Sequence, residues 1–221
     1  MELIQLARER GAWTLVAGAQ GSVHGRHDLP GLGCDFYAFS GHKLYGPDGI
    51  GVLWGRPQAL EQLAHWQFGG EMVRHTGFHE ASFHAAPLGF EAGTPAVSAA
   101  LGLGATIDWL ATLDEAEVAA HEGALHARLL AGLLARDGVS LLGEPQAALA
   151  SFCVDGVHVA DLAHLLGEQG IAVRAGHHCA MPLLQRLEVP GALRVSLGLY
   201  NDADDLERFF LALDRSLELL R

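Results

Sequence analysis

Lysine is almost absent from this chain of 221 residues. Of its 14 Lys and Arg residues, Lys43 is the single lysine and the other 13 are arginines. Arginine stays protonated at any working pH, whereas a lysine amine that has lost its proton is a nucleophile. The composition therefore makes Lys43 a candidate for Schiff-base chemistry, with an ordinary surface charge as the alternative interpretation.

Further scarcities argue against whole classes of protein. The net charge is −12 and no basic patch stands out, so no nucleic-acid partner is expected. No apolar run reaches the about 18 residues of a membrane span, so no membrane association is expected. The charged N-terminal stretch MELIQLARER is unlike a signal peptide. Three scattered cysteines are too few for a disulfide framework, so a reducing cytoplasm is the expected compartment.

What is present is an ordinary globular composition, with 50% hydrophobic residues, arranged as alternating strands and helices. In the first half this alternation predicts an α/β sheet that is parallel in part. Residues 68–95 are rich in Gly, His and Phe, show weak periodicity, and are predicted to form a long functional loop. The predicted helices are 2–10, 57–67, 95–113 and 115–136, and the predicted strands are 13–17, 35–39 and 51–54.

The second half has the pattern of a small α+β domain. Helices are predicted at 159–168 and 203–220, and strands at 139–142, 149–154 and 171–174. Asp202 and Asp204 suit the positive N-terminus of the last helix. The boundary between two domains is expected near residue 112, which gives domains 1–112 and 113–221.

The surroundings of Lys43 favour the chemical interpretation. The stretch FSGHKLYGP places it after a predicted strand, behind Ser40, Gly41 and His42 and ahead of Gly46. Reactive groups are common where a sheet strand ends.

A second candidate site lies in VRAGHHCAMPL, residues 173–183, where Cys179 follows two histidines. A thiol near His or Arg tends toward the thiolate, which is the nucleophilic form. One alternative is a buried, inert cysteine. Another is a metal bound by His177, His178 and Cys179, but adjacent ligands in one loop need a second ligand cluster, and no CxxC or HxxxH partner is present. No metal is therefore expected.

Two arginines, Arg174 and Arg194, are near this cysteine in the sequence. Paired hydrogen bonds from an arginine are the usual means of holding a free carboxylate. Taken singly, each would be interpreted as a surface arginine.

Three segments together resemble a known family: DFYAFSGHKLYGPDGIGVLWG, FEAGTPAVSAALGLGATIDWL and RAGHHCAMPLL. The chain is similar to the group II cysteine desulfurases, of the SufS/CsdA type, within the class V aminotransferases. The resemblance implies a fold type I pyridoxal 5'-phosphate enzyme and a homodimer. It implies conversion of L-cysteine to L-alanine, with the sulfur passed as a persulfide to an acceptor protein, for iron–sulfur clusters among other uses. Some members also act on L-selenocysteine.

The resemblance also implies residue roles. Lys43 would form the internal aldimine with the cofactor, Ser40 and His42 would contact the cofactor phosphate, and Gln20 would contact the ring hydroxyl. The other roles would fall to Thr94, which reaches the phosphate of the partner subunit's cofactor; to Cys179, which becomes the persulfide; and to Arg194 and Arg174, which hold the substrate carboxylate. Residues 1–112 would be the C-terminal part of the large cofactor-binding domain with a linking helix, and 113–221 the small domain.

The sequence departs from the family pattern in two main ways. Where the family has Val-Asp-Gly-Ala-Gln, this chain has VAGAQ, so Ala17 replaces the Asp that pairs with the pyridine nitrogen. Losing such a charge partner costs several kcal/mol, and each 1.36 kcal/mol is about tenfold in rate. The second departure is length, because the family pattern begins well upstream of this sequence. A smaller one is Ala96, where an Asn often follows Thr-Pro.

Three functional hypotheses remain open. The first is a cysteine desulfurase or selenocysteine lyase that is complete only with the missing N-terminal half. The second is a catalytically inactive module that keeps a dimer or acceptor surface. The third is another class V enzyme, such as an aminotransferase or a kynureninase-like hydrolase, against which Cys179 argues.

Overall fold

The computed structural model describes residues 2–221, and these residues form two compact units. The first unit ends at Glu115 and the second runs Ala116–Arg221. Each unit is described here by itself.

The first unit is built on a mixed sheet of three strands in the order β1-β2-β3, with β1 at Leu15–Ala17, β2 at Phe36–Ser40 and β3 at Gly51–Gly55. β1 pairs with β2 in parallel, and β2 pairs with β3 antiparallel. The alternation of strands and helices predicted a sheet that is parallel in part, and the family resemblance implied a mostly parallel one; in this chain one of the two pairings is parallel. The helices of this unit are α1 at Glu2–Glu9, α2 at Leu29–Leu32, α3 at Pro57–Leu60 and α4 at Val97–Ala111.

A polar cluster fixes the starts of β1 and β2. The backbone N–H and the hydroxyl of Thr14 both donate to Asp35 Oδ2, at 2.8 Å and 2.9 Å. The Arg56 guanidinium donates to Asp35 Oδ1. Burial alone would raise the pKa of Asp35, but the Arg56 and Thr14 hydrogen bonds outweigh it and the pKa is lowered. Three segments are thus held at one carboxylate.

Between residues 57 and 95 the structure differs from the predicted helix over 57–67 and the predicted loop over 68–95. The helix is the short α3, Pro57–Leu60. The supposed loop contains an antiparallel hairpin of β4, Val73–Thr76, and β5, Ala81–Phe83, followed by a 3₁₀ turn at Leu88–Phe90. The hairpin side chains are mostly exposed, so the hydrophobic alternation that identifies a strand is missing.

The second unit is a two-layer α+β structure, with a four-stranded antiparallel sheet in the order β6-β7-β9-β8. Its strands are β6 at Val139–Leu141, β7 at Leu149–Val154, β8 at Arg174–Gly176 and β9 at Ala192–Ser196. Its helices are α5 at Glu115–Leu134, α6 at Val159–Glu168, α7 at Met181–Arg186 and α8 at Ala203–Leu220.

Burial in this sheet follows the strand period. Along β7 the residues alternate between half-buried and buried, and the buried positions pack in one core with α5, α6 and α8. α5 and α8 also meet closely, because a Cβ on Gly132 would lie 2.1 Å from the Phe210 ring. The sheet thus has a helix-covered face and a face that carries Ser151 and Arg194.

Two elements near the cysteine loop differ from the predictions. β8 lies at Arg174–Gly176 rather than 171–174, and both β9 and α7 were missed. β9 is a five-residue strand without the length or periodicity that identifies longer elements. By contrast, α6 and α8 have the predicted bounds, and α8 begins with a capping box between Asp202 and Asp205.

Buried apolar residues are unevenly divided between the units. Among the described residues, six of the 25 buried hydrophobic residues lie in the first unit, and the other 19 lie in the second. Over residues 2–221, no helix combines the length and apolar character that a membrane crossing requires.

The Asp35 cluster yields a stability prediction. Replacing Asp35 with Asn removes the charge partner of Arg56, and we expect a loss of about 1–3 kcal/mol from the first unit at neutral pH. Because the folded pKa is lowered, this contribution is present above about pH 4 and disappears as pH falls through the folded pKa. Fluorescence-detected unfolding measures it, since all four tryptophans precede residue 115.

The exposed Asp48, replaced with Asn, is the matched control and should leave the unfolding midpoint unchanged. A D35N penalty of the same size at pH 3 and pH 7 would contradict the ionic origin of the stabilisation.

Candidate active site

Lys43 lies in a 3₁₀ turn, Gly41–Leu44, that directly follows β2. Ser40 is the last residue of β2 and the N-cap of this turn, and its side chain makes no capping hydrogen bond. His42 and Lys43 are both exposed. The hydroxyl, the imidazole and the amine are therefore offered together from four consecutive residues.

Close packing fixes the backbone of this turn. The Gly41 N–H donates to Ile50 O at 2.9 Å, and a Cβ on Gly41 would lie 2.8 Å from the Ile50 side chain. Glycine is therefore required at position 41, because a side chain there would displace Ile50. An added Cβ on Gly46 would lie 3.1 Å from the Leu103 side chain of α4, so this glycine is also tightly packed. The Lys43 amine thus extends from a rigid base.

Gln20 lies in the turn that follows β1, and it is exposed. The Gly18 N–H donates to Ala38 O at 2.8 Å, and the Tyr37 hydroxyl donates to Gly18 O at 3.3 Å. A Cβ on Gly18 would lie 1.9 Å from the Tyr37 ring, so this ring packs directly beneath the turn. Since β1 and β2 are parallel, their carboxyl ends meet at one sheet edge, and the Gln20 and Lys43 turns share it.

Ala17 is the last residue of β1, exposed and paired with Ala38. Its side chain is on the same sheet face as Ser40, two positions beyond Ala38. The position at which the family resemblance implied a carboxylate therefore carries a methyl group at this sheet edge.

Thr94 lies in the segment between the 3₁₀ turn at Leu88–Phe90 and α4, and it is exposed. The Gly93 N–H donates to Gly70 O at 3.0 Å, which ties this segment to the residues ahead of β4. Thr94 is thus in the first unit with Lys43 but outside the two turns that share the sheet edge.

In the second unit, Cys179 is exposed in the loop between β8 and α7. His178 and Cys179 have positive φ angles of 51° and 60°, which side-chain-bearing residues seldom adopt. The Arg174 guanidinium donates to Cys179 Sγ at 3.7 Å. The thiol thus combines exposure with a cationic neighbour.

Arg174 and Arg194 are directly opposite each other on β8 and β9, with side chains on the same face of the sheet. Two like charges in register destabilise a sheet. The half-buried Arg194 also has a buried Nε without a hydrogen-bond partner among the described residues. An anion between the two guanidinium groups would relieve both costs, which suits a carboxylate ligand.

The other two cysteines are in different environments. Cys34 is fully buried. Cys153 is half-buried and its thiol donates to Gly191 O at 3.2 Å. Burial, together with the Asp155 charge, raises the pKa of the Cys153 thiol. Cys179 is therefore the exposed thiol of the three.

The structure brings four predicted residues together at one edge of the first sheet, and three around the cysteine loop of the second unit. The first group is Gln20, Ser40, His42 and Lys43; the second is Arg174, Cys179 and Arg194. Within residues 2–221, no group of three or more His, Cys, Asp and Glu side chains is arranged to hold a metal.

Sequence reasoning missed the structural roles of Tyr37, under the Gln20 turn, and of His178, whose Nε2 lies 2.9 Å from Ala192 O. Gly18 beside an aromatic strand is at most a weak signal for the first. No sequence signal distinguishes His178 from His177.

The family model for aminotransferase class V matches residues 1–209, and the chain belongs to that family. Its architecture is that of the fold type I pyridoxal-phosphate enzymes, represented by part of the large domain and a small α+β domain.

The relatives have names consistent with the sequence resemblance. A protein of Pseudomonas aeruginosa named "Probable cysteine desulfurase" is 99% identical over the whole chain, which covers 55% of that relative. The crystal structure of the cysteine desulfurase CsdA from Escherichia coli is 43% identical with a TM-score of 0.95, and the match covers 99% of this chain and 55% of that one. The chain thus spans about half the length of the relatives that it matches.

The predicted cofactor class is confirmed at the level of the family. A solved structure of a protein named C-DES, 25% identical over 91% of this chain with a TM-score of 0.77, has glycine covalently linked to its PLP cofactor. The residues of the present chain fit such a group in part. An exposed amine, a hydroxyl without a capping bond and an exposed amide suit an aldehyde, a phosphate and a ring oxygen. Ala17 offers nothing to a ring nitrogen.

The contrast among the three thiols can be tested directly. Iodoacetamide should label Cys179 in the native chain, while Cys34 and Cys153 should react only after unfolding, because Cys34 is fully buried and partial burial raises the pKa of the Cys153 thiol. Mass spectrometry of the three cysteine peptides over time provides the measurement.

Labelling of the urea-unfolded chain is the control and should be equal at the three positions. Cys34 or Cys153 reacting as fast as Cys179 without denaturant would contradict the assignment.

Proposed function

We propose that this chain is the cofactor- and thiol-bearing part of a pyridoxal-phosphate-dependent cysteine desulfurase. The whole protein would remove sulfur from L-cysteine, release L-alanine and carry the sulfur as a persulfide on Cys179. The observation that supports this most strongly is the shared sheet edge of the Lys43 and Gln20 turns.

Each residue of the first unit would contribute one contact. Lys43 binds the cofactor aldehyde, since it is the only lysine and its turn is held rigidly. Ser40 and His42 donate to the phosphate, and Gln20 donates to the ring oxygen. Thr94, which is exposed, reaches the cofactor of a second copy in a homodimer.

The second unit would supply the sulfur chemistry. Arg194 and Arg174 hold the substrate carboxylate between them, which brings the substrate sulfur toward the cysteine loop. Cys179 attacks that sulfur, so that the new S–S bond forms as the carbon–sulfur bond of the substrate breaks, and the carbon takes the bonding electron pair and a proton to give L-alanine. The exposed loop then presents the persulfide to an acceptor protein. Three unpaired cysteines are consistent with a reducing cytoplasm as the compartment. L-selenocysteine would be the alternative substrate of the same site.

The bound cofactor would act as the electron sink for the substrate carbon. Ala17 removes the carboxylate that would strengthen that sink, and this supports a second candidate. In this second candidate function, the chain is a catalytically inactive module that retains the dimer or acceptor surface. The two candidates differ in whether Lys43 binds the cofactor.

Cofactor capture by Lys43 is the first test. The chain is incubated with pyridoxal phosphate and reduced with borohydride, which converts a reversible imine into a stable amine. We expect the peptide that carries Lys43 to gain the mass of the cofactor, together with a new absorbance band before reduction. The reason is that Lys43 provides the sole side-chain amine.

Lys43→Arg is the matched control, since it keeps the charge and leaves only the N-terminal amine to react. Equal cofactor incorporation by both chains would overturn the assignment of Lys43 and favour the inactive module.

Restoring a carboxylate at position 17 is the second test. Ala17→Asp should tighten pyridoxal-phosphate binding by about tenfold or more, because 1.4 kcal/mol of charge pairing corresponds to tenfold in affinity. Fluorescence titration of the cofactor measures the dissociation constant.

Ala17→Asn has nearly the same shape without the charge and should bind like the parent chain. Equal tightening by Asp and Asn would show that shape at position 17, and not charge, limits binding.

A further inference from the structure

We propose that His178 is a positioning residue for the Cys179 thiol. Its imidazole anchors the cysteine loop to β9 and so keeps the thiol beside the Arg174 guanidinium. The inference rests on the proposed function, in which Cys179 is the nucleophile, and it adds a residue to that site.

The backbone of the loop needs an anchor. His178 and Cys179 are consecutive residues with φ of 51° and 60°, and Gly176 before them has φ of 115°. A non-glycine residue held in this left-handed region is strained, so the conformation persists only where surrounding contacts impose it. Cys179 is exposed and cannot supply those contacts by burial.

The His178 side chain supplies one of the contacts that hold the loop in this conformation. Its Nε2 lies 2.9 Å from Ala192 O, and since a carbonyl oxygen only accepts, Nε2 carries the hydrogen and donates. The other ring nitrogen, Nδ1, is buried and has no partner among the described residues. The ring is therefore held by one hydrogen bond, and that bond joins the loop to a sheet strand.

Neighbouring positions on β8 and β9 connect the anchor of His178 with the Arg174 guanidinium. Ala192 is two residues before Arg194 on β9, and Arg194 is opposite Arg174 on β8. Arg174 in turn donates to Cys179 Sγ at 3.7 Å. The thiol is thus connected to the sheet at two points, through Arg174 and through its neighbour His178. Loss of the His178 hydrogen bond would free the loop to move away from the Arg174 guanidinium.

The neighbouring histidine provides a comparison within the same motif. His177 is exposed, and no hydrogen bond or ion pair of its ring is found in the described part of the chain. Two adjacent histidines therefore differ in one respect that matters here, the hydrogen bond to Ala192 O. His177→Ala is a matched control for His178→Ala.

The experiment measures the rate at which iodoacetamide alkylates Cys179 at pH 7.5, by mass spectrometry of its peptide, in the intact chain. Arg174→Leu should slow alkylation, because reactive cysteines lie in electropositive, exposed surroundings and this variant removes the cation beside the sulfur. His178→Ala should slow it similarly, by about tenfold, and the double variant should be no slower than either single one. His177→Ala should react like the parent.

A conservative variant separates the hydrogen bond from general stability. The amide nitrogen of His178→Gln can reach the position of Nε2 and should restore the parent rate, whereas the shorter amide of His178→Asn should not. The unfolding midpoint of each variant is measured alongside, so that a rate change from partial unfolding is recognised by accompanying alkylation of Cys153.

Two results would overturn the proposal: equal rates for His178→Ala and His177→Ala, or effects of Arg174→Leu and His178→Ala that multiply in the double variant. The readout needs neither cofactor nor substrate. Failure of Lys43 to capture pyridoxal phosphate would therefore remove the proposed function while leaving the coupling of His178 to Arg174 measurable.

Discussion

The parallel register of β1 and β2 is the constraint on which the candidate cofactor site depends. Only three residue pairs define it, from Leu15 opposite Phe36 to Ala17 opposite Ala38. Because the strands run in the same direction, the turn after each emerges at the same edge. A shift by one residue would turn the Ala17 side chain to the other face of the sheet. The hydrogen bonds of Asp35 with Thr14 and Arg56 hold the opposite ends of these strands and oppose such a shift.

Sequence reasoning succeeded where local chemistry decides the structure. α6 and α8 are long enough to show a helical period, and Asp202 provides a recognisable start for α8. Lys43 was predicted to lie in a glycine-bearing turn after a strand, and it lies in the 3₁₀ turn that follows β2. In each case the signal lies within a few consecutive residues.

It failed where the deciding contact comes from elsewhere in the chain. β9 has five residues, and its role becomes visible only when it is paired between β7 and β8. Without β9 there is no Ala192 carbonyl for His178, and no partner opposite Arg174. The same holds for Gly18, whose need for a hydrogen side chain arises from a tyrosine on the neighbouring strand. Residue types alone do not encode these distances.

The uneven division of the core has a consequence for how the chain unfolds. Hydrophobic burial is the main favourable term in folding, and 19 of the 25 buried apolar residues found within residues 2–221 belong to Ala116–Arg221. The first unit instead exposes Leu15 and Leu53 on one face of its sheet. We therefore expect the first unit to unfold at the lower denaturant concentration, so that a denaturant titration shows two transitions with the tryptophan signal lost first. A single free energy of unfolding has no meaning for such a chain. The Lys43 turn belongs to the less stable unit, so a ligand that bound there would narrow the gap between the two transitions by mass action.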